Sequence, residues 1–467
     1  LTDDQTYGTV KYMTNTVSSL ADKGVTFTNG FVSDSSCCET RASLLRGQYQ
    51  QNYKTKELSQ KAITAPWFKK LELEKVTLAT ELKKKGYRTA LIGKYLNGYS
   101  QIKDHVPPGW DIWNALAWPK ITKKVRMTKK FRYFKYYLNE NGKVNFYGDK
   151  EKDYQTDVLA QKAMDFLKSS SKDNKPFFLY LTPFAPHGPK IPAKRHRKSL
   201  RSTKAPRPMS FNEKDISDKP SWIKNAISLK KQHINYIDRE YKKQLQTLLS
   251  VDEMISKIIN YLEKTDQIDN TYIFFLSDNG LSYGEHRRLW GKFTAYEEHI
   301  RVPFIVRGPG IGKGKKSHHF ALEIDLFPTI AEITGINAPD FIDGRSLLPI
   351  LKKPNDSSIN WRNTFLIQHW WQGVKNKKQT YLNPFYPPHP TKYIGFRSRK
   401  YKYVHYIIDN EHELYNLEKD PYELENIYHK INLKSKKELF NYLTKLSKCK
   451  GKECRDLENP ELSLALQ

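Results

Sequence analysis

Two segments of the sequence end an apolar run with hard oxygen ligands. They are LTDDQ at residues 1–5, which holds Asp3 and Asp4, and FLSDNG at residues 275–280, which holds Asp278 and Asn279. Carboxylate and amide oxygens of this kind suit Ca²⁺ or Mg²⁺ rather than zinc. An Asp-Asn-Gly triplet alone is more often part of a turn than a metal site. Because both segments lie at predicted strand ends, together they favour a site for Ca²⁺, with Mg²⁺ as the alternative.

A third segment, CCETRASLLRG at residues 37–47, contains a nucleophile. An apolar helix face follows a polar loop there, so we expect Cys37 near a helix N-terminus. The partial positive charge at that end favours anions and lowers the pKa of a thiol. Arg41, one turn further on, would reach the same anion. The alternative is that Cys37 is a buried structural cysteine.

A fourth group of residues supplies positive charge. Lys94 and His187 each follow an apolar run, and His286 and Lys292 lie in the motif GEHRRLWGK. A single Lys is usually a solvated surface group, and a single His is usually structural. If these residues converge with Arg41 on the metal, they would bind a tetrahedral oxyanion, neutralise it and protonate a leaving oxygen. The inventory predicts cleavage of a phosphate or sulfate ester and does not choose between them.

The elements that position these residues alternate along the chain. Short, nearly continuous apolar runs predict buried strands at Val25–Thr28, Thr89–Gly93, Phe177–Thr182, Tyr272–Ser277 and Pro303–Arg307. Amphipathic stretches predict helices at Tyr12–Ala21, Ala79–Lys85, Asp157–Lys168, Ile237–Lys264 and Asp325–Thr334. This alternation predicts an α/β fold with a mostly parallel sheet, whose site lies where the strands end.

The pattern changes towards the C-terminus. Residues 353–360 are polar and contain proline, as linkers do, and hairpin-like runs at 393–396, 401–406 and 413–417 precede a Lys-rich helix. We therefore predict a catalytic domain at residues 1–352 with a truncated first strand, a linker at 353–360, and a small α+β subdomain with an antiparallel sheet at 361–467.

The chain is strongly basic, with 79 Lys and Arg against 50 Asp and Glu and a net charge of +29. The excess is concentrated at residues 119–136, 190–204 and 430–452, and such patches attract nucleic acid, anionic membranes or sulfated glycans. Solvated loops explain any single patch equally well. No zinc-finger, RNP or P-loop spacing accompanies them, which argues against nucleic acid. An aromatic content of 13% excludes a disordered chain, and no apolar run approaches the ~18 residues that span a bilayer.

The cysteines and one asparagine bear on the compartment. Cys449 and Cys454, in CKGKEC, would close a small disulfide loop in an oxidising compartment, the alternative being two free thiols. Asn355-Asp356-Ser357 is a glycosylation acceptor if the chain is exported. These features favour an oxidising compartment, and the resemblance described next implies a secreted or lysosome-like protein.

Taken in order, these segments resemble the sulfatase family of the alkaline-phosphatase-like superfamily. Residues 37–47 are similar to the signature Cys-x-Pro-Ser-Arg followed by Ala-Ser-Leu-Leu-x-Gly, and GKYLN at 93–97 with VPPGW at 106–110 resembles the glucosamine-6-sulfatase and extracellular heparan-sulfatase branch. The resemblance extends over nearly the whole chain. Further matches are TDDQ at 2–5, GVTFTN at 24–29, residues 276–280, YEEHIRVPFIVRGPG at 296–310, residues 399–406 and ELYNLEKDPYEL at 413–424.

The resemblance implies an alkaline-phosphatase-like fold and a role for each residue. Asp3, Asp4, Asp278 and Asn279, with residue 37 as a further ligand, would hold Ca²⁺. Cys37 would be oxidised to formylglycine (3-oxoalanine), whose hydrate attacks sulfur. Arg41 and Lys94 would support that hydrate, and His187 and Lys292 would bind sulfate and assist the leaving group. Lys94, His187, Lys292 and His286 are the predicted substrate-binding residues.

Two residues depart from the family signature, because Glu39 stands in place of Pro and Thr40 in place of Ser. The family's modifying enzyme reads that Pro, and a carboxylate beside the pocket would repel sulfate unless it is paired or faces away. Three hypotheses follow. The first is a sulfatase acting on a sulfated sugar, such as glucosamine 6-sulfate in a heparan-type glycan. The others are an inactive protein that binds anionic glycans and a phosphodiester or phosphonate hydrolase of the same superfamily. The retained metal and cation set favours the first.

Overall fold

The computed structural model describes residues 1–53, 62–118, 131–173, 175–370, 390, 392–460, 462 and 464. The strands are β1 Val25–Phe31, β2 Arg88–Gly93, β3 Ile112–Ala117, β4 Tyr136–Glu140, β5 Lys143–Tyr147, β6 Phe177–Thr182, β7 Ile273–Leu276, β8 Phe304–Arg307, β9 Lys315–Leu322, β10 Thr364–His369, β11 Tyr393–Ser398, β12 Tyr401–Tyr406 and β13 Glu411–Asn416. The α-helices are α1 Thr14–Thr16, α2 Cys37–Arg46, α3 Gln50–Tyr53, α4 Ala65–Lys70, α5 Leu78–Lys84, α6 Gln155–Ser170, α7 Lys231–Lys264, α8 Glu297–Ile300, α9 Leu326–Thr334, α10 Leu348–Lys352, α11 Leu433–Leu446 and α12 Lys452–Asp456.

Two mixed sheets form the larger part of the molecule, in the strand orders β7-β8-β1-β9 and β5-β4-β3-β2-β6. Strand β2 runs parallel to both β3 and β6, and β1 runs parallel to β9. Strand β8 runs antiparallel to β1 and β7, so the inference of a parallel strand is wrong for this run. A continuous apolar run indicates that a strand is buried on both faces, but it does not indicate the direction of the strand. The α/β class is confirmed.

The first two residues connect these sheets. The backbone N of Leu1 donates to Leu181 O in β6 at 2.9 Å, and that of Thr2 donates to Leu276 O in β7 at 3.0 Å. Thr2 also forms a parallel bridge with Ser277. Residues 1–2 therefore lie between β6 and β7, and the acidic pair that follows them emerges at the carboxyl ends of both strands.

Helix α7 covers one side of these sheets and packs against α6. Its buried residues Ile237, Tyr241, Leu245 and Leu248 recur every three or four positions, which places them on one face. The predicted helix at 12–21 is instead a 3₁₀ turn, the short helix α1 and a π-turn at Val17–Ala21. Its Thr and Asn residues favour local hydrogen bonds over a regular helix.

The C-terminal unit is an antiparallel sheet in the order β10-β11-β12-β13. Helix α11 packs on it through Leu439, Leu443 and Leu446. The disulfide between Cys449 and Cys454 is present, as predicted. This sheet lies within the predicted unit at 361–467, although the exact domain boundaries stay a prediction. Among the described residues, none of the helices combines the length and the hydrophobicity that crossing a membrane would require.

Candidate active site

Four strands direct polar residues towards one place, because the loops that leave their carboxyl ends meet there. Cys37 follows β1, Lys94 follows β2, His187 follows β6 and Asp278 follows β7. Ligand atoms of Asp3, Asp4, Cys37 and His187 lie within 4.8 Å of one another. Residues separated by hundreds of positions in the sequence thus form one buried pocket.

The acidic side chains of this pocket are all buried. Asp3 Oδ2 accepts from Lys94 Nζ at 2.6 Å, and Asp4 Oδ1 accepts from Lys292 Nζ at 2.6 Å and from Asn279 Nδ2 at 2.7 Å. The backbone N–H of Asp4, a residue with a left-handed φ of 64°, donates to Asp278 Oδ1 at 3.0 Å. The first and last acidic segments are therefore directly hydrogen-bonded, as the sequence predicts for a shared metal site.

The cations are positioned by the same strand ends. Arg41 Nε donates to Asp278 Oδ2 at 2.8 Å, and Arg41 Nη1 donates to the backbone oxygen of Lys94 at 2.9 Å. Lys94 follows Gly93, which has a φ of 124° and where a Cβ atom would stand 2.1 Å from Thr182 O. Glycine is therefore required at position 93 for β2 to deliver Lys94 beside β6.

Lys292 links the acidic pair to the nucleophile position. Its ammonium group contacts Cys37 Sγ and Asp4 Oδ1, and it donates to Asn279 Oδ1 at 3.3 Å. The backbone of the preceding residue, Gly291, has a φ of 142°, which an L side chain rarely adopts. The single ammonium group of Lys292 therefore contacts both a carboxylate of the pocket and the side chain of residue 37.

The charges of the pocket shift one another's ionisation. Burial opposes ionisation of Asp3 and Asp4, but Lys94 beside Asp3 and Lys292 beside Asp4 hold both carboxyl pKa values below the ordinary range. Burial and the nearby charge of Asp3 raise the pKa of Asp278 to about 6. The pKa of Lys292 is raised because Asp4 and Cys37 outweigh its burial. The ammonium groups and the two N-terminal carboxylates are thus charged at neutral pH.

Cys37 is the first residue of α2, as predicted. The predicted lowering of its thiol pKa is wrong, because burial raises that pKa to about 12 and outweighs the charges of Lys292 and Lys94. A thiol with this pKa is protonated at neutral pH and is a weak nucleophile. The unmodified side chain is therefore poorly suited to attack an ester.

His187 is the most exposed of these groups, with 22% of its side chain accessible. Its Nδ1 lies 2.8 Å from Gly188 O, so Nδ1 carries the proton and Nε2 faces Asp4 Oδ2 at 3.6 Å. Its ring packs on that of Phe184, with a centroid distance of 4.6 Å. Burial lowers the pKa of His187 to about 4, so the ring is neutral at pH 7.

The donor set fits a hard cation. Within the described part of the chain Asp3 Oδ1 is buried without a hydrogen-bond partner, and Asp4, which is hydrogen-bonded to Asp278 and Asn279, has a ligand oxygen close to it. Lone carboxylate oxygens in a dry pocket are what Ca²⁺ or Mg²⁺ binds. These residues are therefore suited to holding the predicted ion.

His286 has different neighbours from the other predicted site residues. Its Nδ1 lies 2.7 Å from Glu213 Oε2, and its ring stacks on Tyr296 with centroids 4.0 Å apart. His286, Glu298 and Glu423 form a second group whose ligand atoms lie within 4.8 Å of one another. Since its described contacts are in this second group, a substrate-binding role for His286 stays a prediction.

Glu39 is buried beneath the pocket and paired. It accepts from the hydroxyl of Ser36 and from the backbone N–H of Ile63 at 3.2 Å. It occupies the third position of α2, where Glu three residues after a Ser is favourable for a helix N-terminus. The carboxylate that replaces the signature Pro thus has structural partners of its own.

Arg132 is a residue beside the pocket that the sequence does not single out. It lies at the end of the basic stretch 119–136, of which residues 119–130 lie outside the described residues. Its guanidinium carbon is 5.5 Å from the ring centroid of Phe184, the ring that also packs on His187. Nothing in its local pattern distinguishes it from its basic neighbours, since only the fold brings it to the pocket.

Comparisons with known proteins agree with this geometry. The sulfatase family model matches residues 2–336, and the model for the N-sulphoglucosamine sulphohydrolase C-terminal region matches residues 284–449. The N-acetylglucosamine-6-sulfatase of Homo sapiens is 33% identical over 483 residues, covering 97% of this chain and 85% of that protein. The extracellular sulfatase SULF-1 homolog of Drosophila melanogaster is 34% identical over 374 residues, covering 79% of this chain. This chain spans about a third of the fly protein, 32% of its length.

A solved structure is also similar in fold. It is a protein in complex with its substrate D-glucosamine-2-N,6-O-disulfate, with a TM-score of 0.75, 23% identity, and coverage of 98% of this chain and 97% of that one. The sequence matches over most of the length, together with the shared fold, show that the chain belongs to the sulfatase family, a family of sulfuric ester hydrolases.

Proposed function

We propose that this sulfatase removes a sulfate group from a sulfated glucosamine of a heparan-type glycan, most simply a 6-sulfate, by means of a formylglycine derived from Cys37 and a bound Ca²⁺. The observation that carries this proposal is the convergence of Asp3, Asp4, Cys37 and His187 within 4.8 Å. The likeness to N-acetylglucosamine-6-sulfatase over 97% of the chain supports the sugar and the position of the ester.

Asp3, Asp4, Asp278 and Asn279, with residue 37, would hold the ion. When bound there, Ca²⁺ supplies positive charge that polarises the sulfate oxygens. The neighbouring Lys94 and Lys292 keep the carboxylates of Asp3 and Asp4 ionised, so these acids stay available as ligands. The hydrogen bond from the Asp4 backbone to Asp278 holds the two acidic segments in register.

Residue 37 provides the attacking group. An aldehyde hydrate at this position supplies one nucleophilic oxygen and a second hydroxyl through which the sulfate is later expelled by elimination. Lys292 contacts the side-chain terminus of residue 37, so its ammonium group stabilises negative charge developing there. Arg41, bonded to Asp278 and to the Lys94 backbone, fixes the helix start beside the strand ends.

His187 is suited to handle the proton of the leaving group. Gly188 O holds the proton on Nδ1, so Nε2 is the ring atom free to accept a proton. An anionic ligand in the pocket raises the pKa of this ring, because a nearby negative charge favours the imidazolium form. His187 then donates that proton to the oxygen of the departing sugar.

Glu39 and the compartment are consistent with this function. The carboxylate of Glu39 accepts hydrogen bonds from Ser36 and Ile63, which is consistent with a structural role for this residue. The disulfide and the extracellular sulfatase relative support a secreted or lysosome-like location. Asn355, the residue that would carry the glycan, is exposed, as glycosylation in an export pathway requires.

The direct test is mass spectrometry of the tryptic peptide spanning residues 24–41, which contains Cys37. Conversion to formylglycine lowers the peptide mass by replacing the thiol with an aldehyde, and we expect that form in natively produced protein. Glucosamine 6-sulfate and an aryl sulfate should both be hydrolysed, and activity should fall after chelation and return with Ca²⁺. Cys38→Ala is the matched control, since Cys38 packs in the core.

The same assay separates the competing functions. An unmodified thiol at Cys37, with no turnover of any ester, would favour the hypothesis of an inactive protein that binds anionic glycans. Faster hydrolysis of an aryl phosphonate or phosphodiester than of the aryl sulfate would indicate the related hydrolase class.

A further inference from the structure

Arg132 is a half-buried cation beside the pocket that is held by aromatic rings. Its guanidinium carbon lies 5.5 Å from the ring centroid of Phe184, 5.6 Å from that of Phe131 and 5.7 Å from that of Trp118. Arginine stacks on aromatic faces in this way while keeping its N–H groups available for hydrogen bonds. The rings therefore position the guanidinium without using its donors.

The turn that carries Arg132 is fixed to the segment that carries His187. Gln155 Nε2 donates to Arg132 O at 2.6 Å, and Gln155 Oε1 accepts from the backbone N–H of Phe184 at 3.3 Å. The hydroxyl of Tyr133 donates to His187 O at 2.8 Å. The backbone of Arg132 also has a φ of 77°, a strained conformation for a residue with a side chain. These contacts determine where the guanidinium lies relative to His187.

Phe184 connects Arg132 to the catalytic groups. Lys94 Nζ lies 5.9 Å from the centroid of this ring, and the ring of His187 packs against it at 4.6 Å. Asp3, Asp4 and Cys37 are the groups that act on Arg132 electrostatically, against the effect of its burial. Arg132 therefore borders the pocket, since it packs on the same ring as Lys94 and His187.

Arg132 differs from the pocket lysines in having no acidic partner among the described residues. Lys94 and Lys292 each contact an aspartate at 2.6 Å, whereas no ion pair or side-chain hydrogen bond of the Arg132 guanidinium occurs in the described part of the chain. The adjoining residues 119–130 contain no Asp or Glu that would neutralise it. A partly desolvated, unpaired charge is costly, and an anionic ligand would offset that cost.

We propose that Arg132 binds a second anionic group of the substrate, an N- or O-sulfate or a uronate carboxylate next to the ester that is cleaved. This inference rests on the proposed sulfated-glycan substrate and adds a second charge requirement to it. The planar fork of a guanidinium matches a sulfate or carboxylate through two parallel N–H···O bonds. Arg132 thus selects substrates by their charge pattern.

The experiment compares substrates that differ in one charge. Arg132→Met and wild-type enzyme are assayed with N-acetylglucosamine 6-sulfate, with its N-sulfated counterpart, and with the N-acetylated sugar linked to a uronate. We expect Arg132→Met to raise KM about 10- to 100-fold for a dianionic substrate, with less than about 3-fold change for the monoanionic sugar. Whichever dianionic substrate responds identifies the second anion as sulfate or carboxylate.

Arg207→Met is the matched control, because Arg207 also lies over an aromatic ring, at 4.2 Å from Phe211, but is paired with Asp238. It should leave all three KM values unchanged, and Arg132→Lys should recover part of the affinity. Equal losses on every substrate, or no loss on any, would overturn the proposal.

Binding measured without turnover keeps the inference separate from the proposed function. In the Cys37→Ala background, calorimetric titration with the N-sulfated 6-sulfate sugar should show a Kd about 10-fold weaker or more for Arg132→Met. If the parent enzyme turns over no sugar sulfate yet this difference appears, the catalytic proposal fails and the anion site stands. If turnover occurs but the difference is absent, only the anion site fails.

Discussion

The molecule contains two buried groups of ionisable side chains that both combine acids with cations but have different roles. The catalytic cluster consists of Asp3, Asp4, Asp278, Arg41, Lys94 and Lys292. The subdomain cluster lies against the C-terminal sheet and consists of His286, Glu213, Glu298, Glu297, Glu423 and Lys402. Three members of the subdomain cluster, His286, Glu298 and Glu423, are spaced closely enough to hold a metal, and so are Asp3 and Asp4 of the catalytic cluster together with the adjoining Cys37 and His187.

The charge states of particular acids differ between the two clusters. In the catalytic cluster Lys94 and Lys292 lower the carboxyl pKa values of Asp3 and Asp4. In the subdomain cluster burial raises the pKa of Glu213 to about 8 and that of Glu423 to about 7. Both clusters also contain an exception, since burial and Asp3 raise the pKa of Asp278, while Arg397 and Lys402 overcome burial and lower that of Glu297. Acids that stay ionised are ready to bind a cation, while acids that take up protons contribute to the fold without their charge.

Replacement of the nucleophile in the catalytic cluster should have the largest effect. We expect Cys37→Ala to lower kcat/KM on an aryl sulfate by about 10⁴-fold or more, since loss of a nucleophile removes the covalent route. The thermal midpoint should change little, because Ala fits the first turn of α2. Calorimetry and an initial-rate assay measure the two effects, and turnover retained above a few per cent would contradict the assignment.

Lys402→Met breaks the subdomain cluster instead. Lys402 Nζ contacts Glu423 Oε1 at 2.7 Å, Glu297 Oε1 at 2.9 Å and Ala295 O at 2.9 Å. Its loss removes the counter-ion of the buried Glu423, while Glu297 keeps its contact with Arg397. The free energy of unfolding should fall by about 3–5 kcal/mol. Denaturant titration measures this, and kcat of the folded fraction should be unchanged. A stable variant with reduced kcat would reverse the roles given to the two clusters.

Lys292→Met makes the same substitution in the catalytic cluster. Because Lys292 contacts both Asp4 and Cys37, its loss should lower kcat/KM by about 10²–10³-fold, as removal of one transition-state donor does. In Ca²⁺-containing buffer the unfolding free energy should fall by less than for Lys402→Met. Initial rates and denaturant titration on the paired variants give the comparison directly, and larger destabilisation for Lys292→Met would argue against it.

The sequence suggested the members of the catalytic cluster, because Asp3-Asp4, Lys94 and Asp278 each end an apolar run and the carboxyl ends of such strands meet. Arg41 and Lys292 were recognised from the motifs in which they lie. The sequence did not predict the subdomain cluster. His286 lies six residues before Lys292 and carries an equally reactive side chain. The sequence does not show that the side chain of His286 contacts Glu213 and Tyr296. His286 has a left-handed backbone with a φ of 50°, and the fold places its side chain against these two residues.

Other misses have similar causes. The pKa of Cys37 depends on burial, which outweighs the local effect of a helix end that sequence position reveals. The position of Arg132 beside the pocket is evident only from the fold. Arg132 and Lys94 both lie over the ring of Phe184, which is 52 positions from Arg132 in the sequence. Strand β10 was also missed, although all six of its residues are buried, because it directly follows the polar linker. Each of these features depends on contacts between distant segments.

The smallest of the expected effects is a pH dependence that comes from the subdomain cluster. Glu213 has a folded pKa of about 8 against an ordinary value of 4.5, so between these values the folded protein holds more protons than the unfolded chain. The contribution of Glu213 to stability then decreases as the pH rises from about 5 to 8, since unfolding releases its proton. We expect Glu213→Gln, which keeps a hydrogen-bonding side chain beside His286, to reduce that decrease by about 2 kcal/mol.

Denaturant titrations at pH 5, 6, 7, 8 and 9 test this pH dependence, with Glu72→Gln as the control. Glu72 pairs with Lys75 at the surface, where both side chains are 66% exposed, so its replacement should leave the profile unchanged. A Glu213→Gln profile that matches the wild type would mean that Glu213 is ionised in the folded protein. Glu213 would then not differ in charge state from Asp3 and Asp4, and the difference drawn between the two clusters would be lost.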